Sequence, residues 1–176
     1  TNLARSVGLL SENRKDEGLM LDRDLAENLS LTHLRRFSRG GWISEKLEAQ
    51  ATERWMKALK VKALSPRQRI DALSGGNQQK IALGRLLDQP CEIFLLDGPT
   101  RGIDVSSKVL IYDCIQDLAV QGKSIIFVSS YIPELLGVCD TIAVMRQGRI
   151  ADIRPTAAWT EEEILATALP QGDLHS

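Results

Sequence analysis

Leu73-Ser74-Gly75-Gly76-Asn77-Gln78-Gln79-Lys80, continued by Ile81, Ala82, Leu83, Leu86 and Leu87, is the stretch on which the reading of this chain turns. The apolar residues recur at helical spacing and predict a helix from Gly76 to about Asp88, where Gln89-Pro90 stops it. A helix start presents backbone N–H groups that have no intrahelical acceptor, backed by the positive end of the macrodipole. Two glycines let an anion approach that backbone closely. Taken alone, Ser-Gly-Gly reads first as an ordinary N-cap, Ser74, on an ordinary helix. The next segment shifts the balance. Cys91 to Leu96 is an apolar run without alternation, which suits a parallel strand covered on both faces. It ends in Asp97, and a strand-end aspartate is where nucleotide-binding α/β proteins organise Mg²⁺. Gly98-Pro99-Thr100 then turns the chain into Arg101-Gly102-Ile103-Asp104.

The pattern continues on both sides of this centre. Downstream, Ser106 is expected to cap a helix from about Ser107 to Val120, which Gly122 ends. Ser124 to Val128 reads as another buried strand, and Ile132 to Val138 as a short helix opened by Pro133 and Glu134. Thr141 to Met145 and Arg149 to Arg154 read as strands joined at Gln147-Gly148. Thr160 caps a final helix, Glu161 to Leu169, with three acidic residues in its first turn. Strands and helices alternating over residues 91–146 predict a mostly parallel, right-handed α/β sheet. Upstream, residues 5–11 read as a strand, and Glu12 to Gly18 as a charged loop. Asp22 to Arg36 and Ile43 to Lys62 read as two amphipathic helices, with Asp22 or Asp24 and Ser44 as their caps. Trp42 and Trp55 read as packing residues, because no basic-aromatic interleaving surrounds them.

At 176 residues, 43% hydrophobic and 26% charged, the chain suits one soluble globular domain. Its net charge of −1 gives no global pull toward nucleic acid or an anionic surface. Cys91, Cys114 and Cys139 lie far apart beside apolar runs and read as buried thiols, not as a disulfide or metal set. No apolar run approaches membrane-spanning length, and no signal peptide is visible. If a membrane matters, it is expected to matter through a partner.

LSGGNQQK resembles the signature motif of ATP-binding cassette (ABC) ATPases, IFLLD their Walker B strand, and RGID their D-loop. GPTRGID, with SENRKDEGL upstream, is most similar to the second cassette of the tandem ATPases that drive bacterial monosaccharide importers. The resemblance runs from about Val7 to about Ile153. It implies a P-loop NTPase ABC fold with an α-helical insert at roughly residues 20–72. A signature, Walker B, D-loop and switch core would follow at 73–154, then a C-terminal helix and tail at 155–176. It also implies Mg-ATP as the ligand. Ser74, Gly75, Gly76 and Asn77 would sit against the γ-phosphate of ATP held by another cassette. Asp104 would steady the opposing phosphate loop, Asp97 would hold Mg²⁺, and Glu12 would fall in the Q-loop where glutamine is usual. The implied partners are the preceding cassette of the same polypeptide or a second copy, and transmembrane permease subunits that receive the helical insert. No nucleic acid is implied. The implied location is the cytoplasmic face of the bacterial inner membrane.

The chain departs from the family pattern in three ways. No GxxxxGK[ST] phosphate loop occurs, and the sequence reads as the later part of a cassette, weakening any hold of Asp97 on Mg²⁺. Gly98 stands where the family places its catalytic carboxylate, and glycine cannot act as a base. Ser130 stands at the switch histidine position. The expectation is that the chain alone is inactive and that it completes a partner's site. The alternatives are a non-catalytic regulatory or scaffold cassette, or a non-transport ABC ATPase acting on nucleic acid. A missing phosphate-loop strand would also leave the strands at Ser124–Val128 and Thr141–Met145 with unpaired edges, expected either to close on each other or to be covered by a second chain.

Overall fold

The computed structural model describes residues 7–13 and 18–170. The first six residues, which include the start of the strand expected over 5–11, Arg14 to Glu17 of the charged loop, and the last six residues lie outside that range. The chain divides into two compact units, residues 1–128 and 129–176.

In the first unit, β1 (Val7–Leu10), β4 (Ile93–Asp97) and β5 (Ser124–Val128) form a parallel sheet in the order β1-β4-β5. Leu9 lies opposite Leu95, and Leu95 opposite Ile126. Leu10, Phe94 and Leu96 turn to the other face and are buried there. Gly8 is a packing requirement: a Cβ at this position would run into Leu86 of α3 (Gly75–Leu87) and lie 2.9 Å from the Cys91 sulfur. α3 therefore rests directly on β1, and this sets where its N-terminus falls.

The helical segment differs from expectation in two respects. The single helix expected over 22–36 is split into α1 (Leu25–Ser30) and a 3₁₀ turn, Leu34–Phe37. Polar side chains near the end of α1 are committed elsewhere. Asn28 bonds Met20 through both its amide nitrogen and its oxygen, and the Ser30 hydroxyl donates to Glu48 at 2.5 Å. Asp24 caps α1 in a reciprocal box with Glu27. The second helix, α2 (Glu45–Ala58), starts after Ile43 because residues 38–43 form a small hairpin, β2 (Ser38–Arg39) with β3 (Trp42–Ile43). Trp42 is consequently 83% exposed and is no packing residue, whereas Trp55 is half-buried and donates to Asp88. Leu25, Leu29, Phe37, Leu59, Ile70, Ile81 and Leu83 make the core of this unit together with the buried sheet face.

α4 (Val105–Val120) begins earlier than expected because Asp104, not Ser106, is its N-cap. β5 is not the buried strand expected: it pairs only with β4 among the described residues, and its Ile126 and Val128 are 57% and 52% exposed.

In the second unit, α5 (Ile132–Val138), β6 (Thr141–Arg146), β7 (Arg149–Pro155) and α6 (Glu161–Ala168) surround a core of Ile142, Val144, Trp159 and Ile164. β6 and β7 are an antiparallel hairpin closed at Gln147-Gly148, both at positive φ. β6 pairs with β7 alone among the described residues. Thr160 caps α6 in a capping box with Glu163. The three cysteines are free thiols. Cys91 is buried, Cys114 and Cys139 are half-buried, and burial raises the pKa of all three.

Candidate functional site

Apart from Ser130, the residues singled out by sequence fall into two clusters in the first unit. One lies at the start of α3. Ser74 occupies the N-cap position, but its side chain makes no capping bond. Its hydroxyl instead accepts from the Asn77 amide at 2.9 Å, and the Asn77 oxygen accepts from the Lys62 backbone N–H at 2.8 Å. The backbone N–H groups at the helix start are thus left without a side-chain acceptor. Gly76 faces Asp104: a Cβ there would lie 3.9 Å from the Asp104 carboxylate and 4.0 Å from Ile103. Gly75 stands between Ser74 and Gly76 on the first turn.

Asp104 serves its own helix. It accepts from the Ser106 hydroxyl at 2.5 Å, the Ser107 hydroxyl at 2.7 Å and the Ser107 N–H at 3.0 Å. These bonds, Ser106 foremost, hold its carboxyl well below the usual aspartate range. The rest of the LSGGNQQK stretch points inward. Gln78 donates to the Ile70 and Leu73 carbonyls, Gln79 to the Pro99 carbonyl at 3.3 Å, and Lys80 to the Lys60 carbonyl at 3.1 Å. Burial lowers the Lys80 pKa. These three residues brace the helix and the loops beside it.

The second cluster lies at the C-terminal end of β4. Asp97 is half-buried and pairs in register with Val128. Gly98 follows at φ +54°, with its N–H on the Val128 carbonyl at 2.9 Å and its own carbonyl accepting from Arg101 N–H at 3.0 Å. A side chain at Gly98 would meet Glu12: the built Cβ lies 3.2 Å from Glu12 Cγ and 3.4 Å from Oε2. The Glu12 carboxylate also pairs with the Arg101 guanidinium. The volume next to Asp97 that glycine leaves open is therefore bordered by another acid. Sequence reading quoted Arg101 without giving it a role; its place three residues after Gly98 was the available signal. The Gln79–Pro99 bond joins the two clusters through α3.

Ser130 belongs to the second unit and is exposed. The bonds at this turn are made by its neighbour: the Ser129 hydroxyl donates to Glu134 and accepts from Tyr131 N–H. A further polar cluster escaped sequence reading. The Asp88 carboxylate, at the C-terminal end of α3, accepts from Arg36 and Arg54 at 2.6 Å each and from the Trp55 indole at 2.8 Å.

A parallel sheet, a Ser-Gly-Gly helix start and an aspartate at a strand end define a nucleotide-binding α/β class of protein. The chain belongs to the ABC transporter family, whose model matches residues 2–101. It is 45% identical over 172 residues to the arabinose import ATP-binding protein AraG of Burkholderia pseudomallei, covering 97% of this chain and 34% of that protein. It is 43% identical over 173 residues to the ribose import ATP-binding protein RbsA of Halalkalibacterium halodurans, covering 98% and 34%. The chain thus spans about a third of the length of the curated relatives it matches. Among solved structures, a dimeric ATP-binding cassette in a post-hydrolysis state with ADP and Pi superposes with a TM-score of 0.72 at 20% identity, covering 86% of this chain and 63% of that one. A dimeric bacterial ABC transporter cassette gives 0.71 at 22% identity. At these identities the likeness shows the fold.

The residues present suit a magnesium nucleotide. Uncapped helix N–H groups and the Ser74 hydroxyl suit phosphate oxygens, and a strand-end carboxylate suits a hard divalent cation. No helix of the described residues is long and apolar enough to cross a membrane.

Proposed function

We propose that this chain is part of the ATP-binding component of a monosaccharide ABC importer, and that its role there is to present the start of α3 to a nucleotide held by another cassette. The observation that carries this reading is the free state of the α3 N-terminus. Ser74 is turned onto Asn77 instead of capping the helix, so the first N–H groups remain available to an anion. Gly75 and Gly76 would let phosphate oxygens approach that backbone. Asn77 positions the Ser74 hydroxyl, and Asp104 holds the adjoining turn against Gly76. On the other cluster, Asp97 would bind Mg²⁺, with Glu12 beside it. Bound Mg²⁺ would neutralise phosphate charge. The implied partners are a second cassette and permease subunits, which would hold the protein at the cytoplasmic face of the membrane. The imported sugars named for the relatives are arabinose and ribose.

Ser74→Arg in the full-length protein tests this. An arginine at the helix start would fill the phosphate approach, and ATP turnover of the assembled transporter is expected to fall at least about tenfold, on the scale of losing one or two charge-assisted contacts. An unchanged rate would remove the basis for the proposal.

A second reading is a non-catalytic cassette that engages a partner without turnover. Gly98 favours it, because the position beside Asp97 carries no side chain. Turnover confined to the partner cassette's site, measured by single-site nucleotide trapping, would support that reading.

A further inference from the structure

We infer that the β2–β3 hairpin is a membrane-contact finger that places Trp42 and Arg39 against an anionic phospholipid surface. Arg39 and Trp42 are register partners across the hairpin, so their side chains leave the same face at its tip. The turn between them, Gly40-Gly41, has both residues at positive φ, +59° and +86°, which is the tight two-residue form. A Cβ built on either glycine meets nothing within 4 Å, so the tip stands clear of the rest of the protein. Its base is fixed. The Ser44 N–H bonds the carbonyl of buried Phe37 at 2.8 Å, and the Ser38 hydroxyl bonds the Leu34 carbonyl at 2.8 Å. Trp42 is 83% exposed, and Ile43, next to it in sequence, is 48% exposed.

The charge around the finger is opposite to that of the chain. Residues 31–46 carry Arg35, Arg36, Arg39 and Lys46 against one acid, Glu45, whereas the whole chain carries −1. Arg36 is committed to Asp88. The Arg35 and Arg39 guanidinium groups have no hydrogen-bond or ion-pair partner among the described residues. A projecting indole with the unpaired Arg39 as its register partner matches the headgroup zone, where tryptophan rests its ring and basic side chains meet anionic lipid. A protein partner would need a pocket of its own to receive the convex tip, and nothing in the finger is concave. Each arginine near such a surface gives about a fivefold gain in partitioning, so the finger is expected to give weak, reversible binding that flotation at high lipid concentration reads. The inference concerns a surface apart from the nucleotide residues and does not depend on them.

The test is flotation of the full-length protein with phosphatidylglycerol-rich vesicles and with neutral phosphatidylcholine vesicles. The bound fraction should be several-fold higher on the anionic vesicles and should fall with added salt. Trp42→Ala should lower it several-fold, Arg39→Ser by about fivefold at low salt, and Trp42→Tyr should preserve it. Circular dichroism of each variant checks that the fold is kept. Equal flotation on both vesicle types, flotation unchanged in Trp42→Ala and Arg39→Ser, or no flotation at all would overturn the inference. So would Trp42-dependent capture of detergent-solubilised transmembrane subunits with lipid flotation unaffected by the variants.

Discussion

Replacing Gly98 by alanine separates two physical effects at the end of β4. Gly98 sits at φ +54°, in the left-handed region. An L-residue there costs roughly 1–2 kcal/mol, because its Cβ crowds the following carbonyl. The added carbon would also meet the Glu12 side chain at 3.2–3.4 Å. Those neighbours belong to a flexible, partly exposed side chain, so they can yield by rotating off their minimum, at about 0.5–1 kcal/mol. Gly98→Ala should therefore destabilise the chain by about 1.5–3 kcal/mol, read as a lower urea midpoint at unchanged slope. Glu12→Ala in the same background should recover only the crowding share and leave the backbone share intact. Gly98→Glu should show the same backbone cost and push Glu12 off Arg101, so a second carboxylate placed here would displace the acid already present. A Gly98→Ala variant as stable as the parent, or full recovery in the double variant, would refute the account of a left-handed glycine fitted against an acid.

Asp88→Ala should cost about 2–3 kcal/mol in the same urea assay. Its carboxylate is only 2% exposed, but Arg36 and Arg54 are 41% and 55% exposed and regain water when it is removed, so each pair counts at the low end. A loss below about 0.5 kcal/mol would mean that the clamp between α2, α3 and the 3₁₀ turn is decorative. Asp104→Asn should lower stability near neutral pH, and the deficit should shrink in acid. The folded carboxyl lies below its unfolded value, so its stabilisation is present above the ordinary aspartate range, near pH 4, and is lost as pH falls below it. Thermal unfolding of both proteins from pH 7 to pH 3 checks this; a pH-independent difference would contradict it.

Much of this protein could be read from local pattern. The α3 boundaries, the strand ending at Asp97, β5 and α5 follow from apolar periodicity and from glycine and proline stops, which act within a few residues. Family membership was legible because the LSGGNQQK and IFLLDGPTRGID motifs are contiguous. Other features depend on contacts between residues far apart in sequence. Nothing in the order of residues says that Glu12 borders Gly98, that Gly8 lies under Leu86, or that Asp88 gathers Arg36, Arg54 and Trp55. Asp104 rather than Ser106 caps α4, because the backbone path after the Gly102 turn decides which oxygen reaches the free N–H. Trp42 was misread for the same kind of reason. Its hydrophobicity argued for burial, but the Gly40-Gly41 turn carries it out of the core.

The sequence by itself determined the chemistry on offer: a helix start rich in glycine, a strand-end aspartate, and a glycine directly after it. Short-range periodicity and backbone preference are enough for that. Only the tertiary structure decided how those groups are used. Packing of α3 on β1 and the loops around it left the Ser74 end uncapped and turned the glutamines and Lys80 inward, and the chain path set Glu12 beside Gly98. Such pairings come from the fit of surfaces distant in the chain, and no local pattern encodes them.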